Sequence, residues 1–144
     1  MKRSNCTLAV LTLIFAGCAL APPQRALPSR APRQVLERVP LSARELANPL
    51  ENDPDAVAAG RKLFRAHCVQ CHGEDARGGN RGPDLRSGAL RSARAGELFW
   101  VVSNGSLRTG MPDWSQLPRA RRWQLVAYLM AVNSREPGVR PPQR

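Results

Sequence analysis

The chain has 144 residues, enough for one domain and an appendage, and 42% of them are hydrophobic and 23% charged. Its 22 basic residues, 20 of them Arg, outnumber 11 acidic ones, and thirteen prolines are too many for one compact small domain. No run of ~20 apolar residues is present to span a bilayer, and no βαβ rhythm with a glycine-rich turn points to a nucleotide fold.

The basic excess first suggests nucleic acid. Its distribution argues otherwise: residues 51–136 hold 13 basic and 9 acidic residues, scattered, and the rest of the excess lies at the ends among prolines. No zinc-finger spacing or RNA-recognition aromatic motif accompanies it, so no nucleic-acid partner is expected.

At the N-terminus, Lys2 and Arg3 precede an apolar run from Thr7 to Gly17, a length that suits a secretory leader. Ile14-Phe15-Ala16-Gly17-Cys18 follows and resembles the lipobox of bacterial lipoproteins, with Phe15 in place of the usual Leu. That resemblance implies a signal peptide over 1–17, cleavage before Cys18 and lipidation of its thiol and new amine. A cut after Ala21 would place Pro22 directly behind the scissile bond, which disfavours it. Residues 18–50 carry six prolines and five Arg with few apolar side chains. They read as a lipidated Cys followed by a semi-extended tether, with at most a helical turn or two between Val35 and Leu46.

Folding restarts at Asp53-Pro54-Asp55, where an N-cap, a first-turn proline and an acid at the positive helix end coincide. A helix is expected from Pro54 to about Ala66, with Gly60 as a costly interior residue unless something packs closely there. Gly73 to Ser87 is a polar, glycine-rich loop. A second helix is expected from Ala93 to Ser103, capped by Ser92 and ended by Gly105, and a third from Pro118 to Val132. Without a strand pattern or internal repeat, the domain over 51–136 reads as all-α, and residues 137–144 as a flexible tail.

The chemistry lies in Cys68-Val69-Gln70-Cys71-His72. Two thiols three residues apart share one side of a helical turn with an imidazole beside them, which is the attachment signal of a c-type haem. Both vinyl groups can be trapped as thioethers while His72 reaches the iron. A thioredoxin-like pair would need a βαβ context. A structural zinc would need a second ligand pair, and the other His, His67, sits beside Cys68. A disulfide at this spacing would be strained.

From Pro54 to Val132 the chain resembles the class I monohaem cytochromes c. Gly60, Phe64, Cys68, Cys71, His72 and Gly73 reproduce the family's first helix and haem motif in register. Gly82-Pro83-Asp84-Leu85 is similar to its Gly-Pro-x-Leu segment, and the resemblance implies that the Pro83 carbonyl holds the free ring nitrogen of His72. Gly110-Met111-Pro112 is similar to the segment that supplies the axial Met. Tyr128 and Leu129 are similar to the aromatic-aliphatic pair of the last helix that crosses the first, which would account for Gly60. The implied fold is small and all-α, about three main helices around one covalently bound haem c.

His72 and Met111 are thus the expected iron ligands. Met130 lies on an amphipathic helix, where Met is ordinarily core filler, and His67 is expected to be solvated. Trp100, Trp114 and Trp123 each have the option of packing on the haem or on one another. Met1 and Cys6 leave with the leader, Cys18 is lipidated and Cys68 and Cys71 hold haem, so no disulfide remains. The haem's apolar faces complete a core poor in aromatics, and the apo-protein should fold poorly.

A thioether ligand favours ferrous iron and fills the coordination sphere. The expected function is single-electron transfer by a lipid-tethered periplasmic carrier, not an enzyme, with redox proteins at the membrane as partners and no small-molecule substrate. A fixed haem subunit of a larger membrane oxidoreductase is the alternative. A haem-based sensor would need an effector domain, which the sequence lacks.

Overall fold

The computed structural model describes residues 30–79 and 81–134. The expected leader, Cys18 and the 137–144 tail lie outside them. The described residues are helical and carry no strand, only an isolated bridge between Ser106 and Met111.

The three expected helices form, with small shifts at their ends. Helix α3 runs Pro54–His67, and Asp53 caps it by accepting from the Asp55 and Ala56 amides (2.9 and 3.2 Å). Helix α6 spans Ala95–Asn104 and ends at Gly105. Its start differs from the expected one. The cap position is Arg94, whose amide donates to the Glu97 carboxylate (2.8 Å), while Ser92 turns back to the Ala89 carbonyl. A first-turn Glu reaching back has replaced the hydroxyl cap. Helix α7 covers Arg119–Ser134, with the Pro118 carbonyl accepting its first bond from Arg122.

Helices α3 and α7 make the most extensive packing in the fold. Gly60 lies where they cross: a Cβ there would run into the Gln124 carbonyl and approach Tyr128 Cβ to 2.9 Å. The close approach that the first helix seemed to need is therefore real. Phe64 packs its ring on Tyr128 (5.3 Å between centroids), and Leu125, Val126 and Leu129 fill the seam with the α6 residues Leu98, Phe99 and Val102. Trp123 is buried in a stack on Phe99 (3.9 Å, 17°).

The segment expected to be an extended tether through residue 50 is instead folded over its described part. Helix α1 (Arg30–Glu37) and the short α2 (Leu41–Arg44) strap across the domain. Leu36 and Val39 are buried in a second apolar cluster with Leu90 and Val101. Arg44 closes the C-terminal end of α1 by donating to the Leu36 and Val39 carbonyls (3.0 and 3.1 Å), and lies 3.7 Å from Glu97. Buried Asn48 donates to the Trp123 carbonyl (3.2 Å) and accepts from the Leu50 amide (2.9 Å). Composition misjudged this stretch because it averages apolar content, whereas a few anchors suffice once a preformed face exists to receive them.

Candidate functional site

The Cys-x-x-Cys-His segment occupies one tight turn directly after α3. Helix α4 is Val69–His72, and the Cys68 carbonyl accepts from both the Cys71 and His72 amides (3.1 and 2.9 Å). This single turn brings two half-buried free thiols and a buried imidazole together. Burial, and next the neighbouring Cys71, push the Cys68 thiol up to about 11. It stays protonated at neutral pH, unlike the reactive thiolate of a disulfide-exchange enzyme.

The His72 ring is oriented by the loop that follows. Nδ1 lies 3.0 Å from the Pro83 carbonyl. A carbonyl only accepts, so Nδ1 carries a proton, and it is Nε2 that has the lone pair in the neutral ring. No bond to Nε2 is found among the described residues. The loop is wound tightly to achieve this: Gly78 donates to the His72 carbonyl (2.9 Å) and Leu85 to Ala76 (2.8 Å). Gly82 is needed for closeness, since a Cβ there would come within 2.9 Å of His72 Nδ1 and 2.8 Å of the Cys71 carbonyl. Asn133 of α7 donates to the Leu85 carbonyl (3.3 Å) and pins the loop to the last helix.

Met111 follows a 3-10 turn at Leu107–Thr109 and is held by backbone bonds in both directions with Ser106 (2.8 and 3.1 Å). Its half-buried side chain packs against the second apolar cluster, which Leu85 and Ala93 join to the main core. Met130 packs into the main core. His67 is exposed, its ring 5.0 Å from Trp114. Trp100 borders the Met111 cluster.

Two features were not expected from the sequence. One is the packing of α1 and α2 on the domain beside Met111; only a helical turn or two between Val35 and Leu46 was expected there. The other is Arg91, at the end of α5 (Gly88–Arg91), whose Nε and Nη2 are buried without a hydrogen-bond partner among the described residues. Paired thiols on one turn beside an imidazole held through Nδ1 fit a covalently attached haem.

A family model described as "Cytochrome C oxidase, cbb3-type, subunit III" matches residues 55–129. The chain is 34% identical over 109 residues to the cbb3-type cytochrome c oxidase subunit FixP of Sinorhizobium medicae, covering 67% of this chain and 37% of that protein. It is 31% identical over 84 residues to cytochrome c550 of Pseudomonas aeruginosa, covering 54% and 57%. Among solved structures, cytochrome CL of Methylophaga aminisulfidivorans is similar with a TM-score of 0.53 at 27% identity, covering 59% of this chain and 60% of that one. The chain spans less than two thirds of the length of the curated relatives it matches. With most of the 51–136 stretch and more than half of the whole chain inside one family model, this protein belongs to the c-type cytochromes of the cbb3-type subunit III family, an all-α electron-transfer domain that carries covalent haem c.

Proposed function

We propose that the chain is a lipid-anchored electron carrier on the periplasmic side of a bacterial membrane, with Cys68 and Cys71 as the thioether sites and His72 and Met111 as the iron ligands. When bound, the haem supplies one-electron chemistry. The observation that carries this reading is the His72 Nδ1–Pro83 carbonyl bond, which fixes the tautomer and leaves Nε2 as the donor atom. Met111 is held by the Ser106 bridge in a loop stiffened by Pro112, which supports a fixed sulfur ligand.

In this reading residues 1–17 are the signal peptide and Cys18 the anchor. Leu36 and Val39 already pack on the domain. An anchor at Cys18 keeps the domain near partners held at the same membrane and raises their effective concentration. Redox proteins are the partners expected.

A second reading, a fixed haem subunit of a larger oxidoreductase, draws on the family model, which is that of an oxidase subunit. Solubilising the native membrane and sizing the haem-containing species separates the two. A free monomer supports the carrier, and a stable large complex supports the subunit.

The anchor is tested by fractionating wild type and Cys18→Ser. Wild type should be in the membrane fraction and Cys18→Ser should be soluble or unprocessed. Wild type found wholly soluble, with a mature start at another residue, removes the lipoprotein reading.

A further inference from the structure

Helix α1 lies ahead of the residues that the family model matches, yet it is built into the domain beside Met111. Leu36 and Val39 (8% and 4% exposed) form an apolar cluster with Leu90 of α5 and Val101 of α6. Met111 packs against this cluster, as does Val35 of α1. The surface outside the cluster repeats the relationship. Val35 and Arg38 line one hollow together with Ser106, Leu107 and Arg108, the residues that lead into Met111.

The Met111 loop itself is closed only at its base. Ser106 and Met111 exchange backbone bonds, and the Trp114 amide donates to the Val102 carbonyl (3.0 Å). A Cβ on Gly105 would come within 2.6 Å of the Pro112 and Asp113 backbone, so the two ends of the loop touch. Its tip stands open: Leu107 is 88% exposed, and a Cβ on Gly110 would meet nothing within 4 Å. These bonds fix the Met111 backbone but not its sulfur. The side chain is unbranched, flexible and without a strong hydrogen-bonding group, so packing alone orients it.

We propose that α1 is a clamp on the Met111 side chain, with Leu36 and Val39 as positioning residues that hold the sulfur ready for the iron. This inference rests on the reading of His72 and Met111 as the iron ligands. Leu90 and Val101 are held by the domain's own helices, whereas Leu36 and Val39 come from a helix laid on it from outside the matched region. A soft thioether favours ferrous over ferric iron. The packing behind Met111 therefore governs how often the ferric site opens by local unfolding of the loop.

The test is the rate at which imidazole binds the ferric, covalently haem-loaded protein, a rate limited by departure of the native sixth ligand. Met111→Ala is measured first and should bind imidazole much faster than wild type. Equal rates in these two proteins remove Met111 as the ligand and the clamp with it, a failure seen before any α1 variant is made. Leu36→Ala should bind imidazole at least about tenfold faster than wild type, because truncating a buried Leu removes packing and leaves a cavity. Leu36→Met conserves volume and should return the rate to that of wild type. Gly60→Ala strains the α3–α7 crossing, away from the loop, and should keep the wild-type rate, which separates positioning from a general loss of stability. A wild-type rate in Leu36→Ala overturns the proposal, and so does a Gly60→Ala protein that gains as much as Leu36→Ala. Should Leu36→Ala fail to mature, Val39→Ala, a smaller truncation of the other α1 anchor, decides: faster binding supports the clamp and an unchanged rate overturns it.

Discussion

His72 Nδ1 and the Pro83 carbonyl lie 3.0 Å apart, eleven residues from one another along the chain. That one bond links the attachment turn to the loop beyond it and decides which ring nitrogen is free. The loop closes so tightly over the ring that Gly82 leaves no room for a side chain. Ring orientation is therefore a property of backbone winding, with no neighbouring acid needed to set it.

Gly82→Ala should push the loop away from the imidazole. We expect a loss of ~1–3 kcal/mol in stability, typical of overpacking, and a changed haem absorption spectrum as the Pro83 carbonyl moves off Nδ1. Denaturant unfolding monitored beside the visible spectrum reads both. A stable variant with an unchanged spectrum would show that the ring is positioned independently of this loop.

Gly60→Ala acts elsewhere, at the α3–α7 crossing, where the obstacle is the Gln124 backbone carbonyl. Backbone cannot swing aside as a side chain can, so destabilisation should be at least ~1–3 kcal/mol. The potential of the surviving holo-protein should change little. Calorimetry and redox titration of the same preparation check the two halves of this statement.

Asn48→Ala should free the strap. Its amide is a second donor to the Trp123 carbonyl, which keeps its place in the α7 ladder, and losing that bond costs ~0.5–1.5 kcal/mol. Amide exchange should accelerate first around α1 and α2, before the α3–α7 pair is affected. Uniform acceleration across the domain would mean that the strap and the core unfold as one unit.

The main architecture was legible because its signals are local. Asp53-Pro54-Asp55 starts α3, Gly105 stops α6, and the Cys68–His72 spacing marks the attachment turn. Gly60 read as a defect by propensity and as a close contact by resemblance, and the crossing with α7 bears out the second. The strap was not legible, since its stabilisation comes from Leu36 and Val39 meeting Leu90 and Val101, residues more than fifty positions away. Nothing in a stretch rich in Pro and Arg announces a receiving face elsewhere. The start of α6 shifted because Glu97 reaches back to Arg94, a bond available only once the turn has formed. Arg91 looked like one Arg among twenty until its buried edge was seen.

The most direct measurement of the whole account is the absorption spectrum and reduction potential of Met111→Ala beside wild type and Met130→Leu. Met111 is fixed by the Ser106 bridge and packs at the second cluster, whereas Met130 fills the main core. Losing the thioether should open the sixth position, giving a high-spin ferric spectrum or a substitute ligand, a lower potential, and carbon monoxide binding by the reduced protein. Met130→Leu should keep the wild-type spectrum and lose under ~1.5 kcal/mol of stability, as a volume-conserving swap. An unaltered spectrum and potential in Met111→Ala, or ready carbon monoxide binding by wild type, would contradict the assignment of Met111 and with it the electron-carrier account.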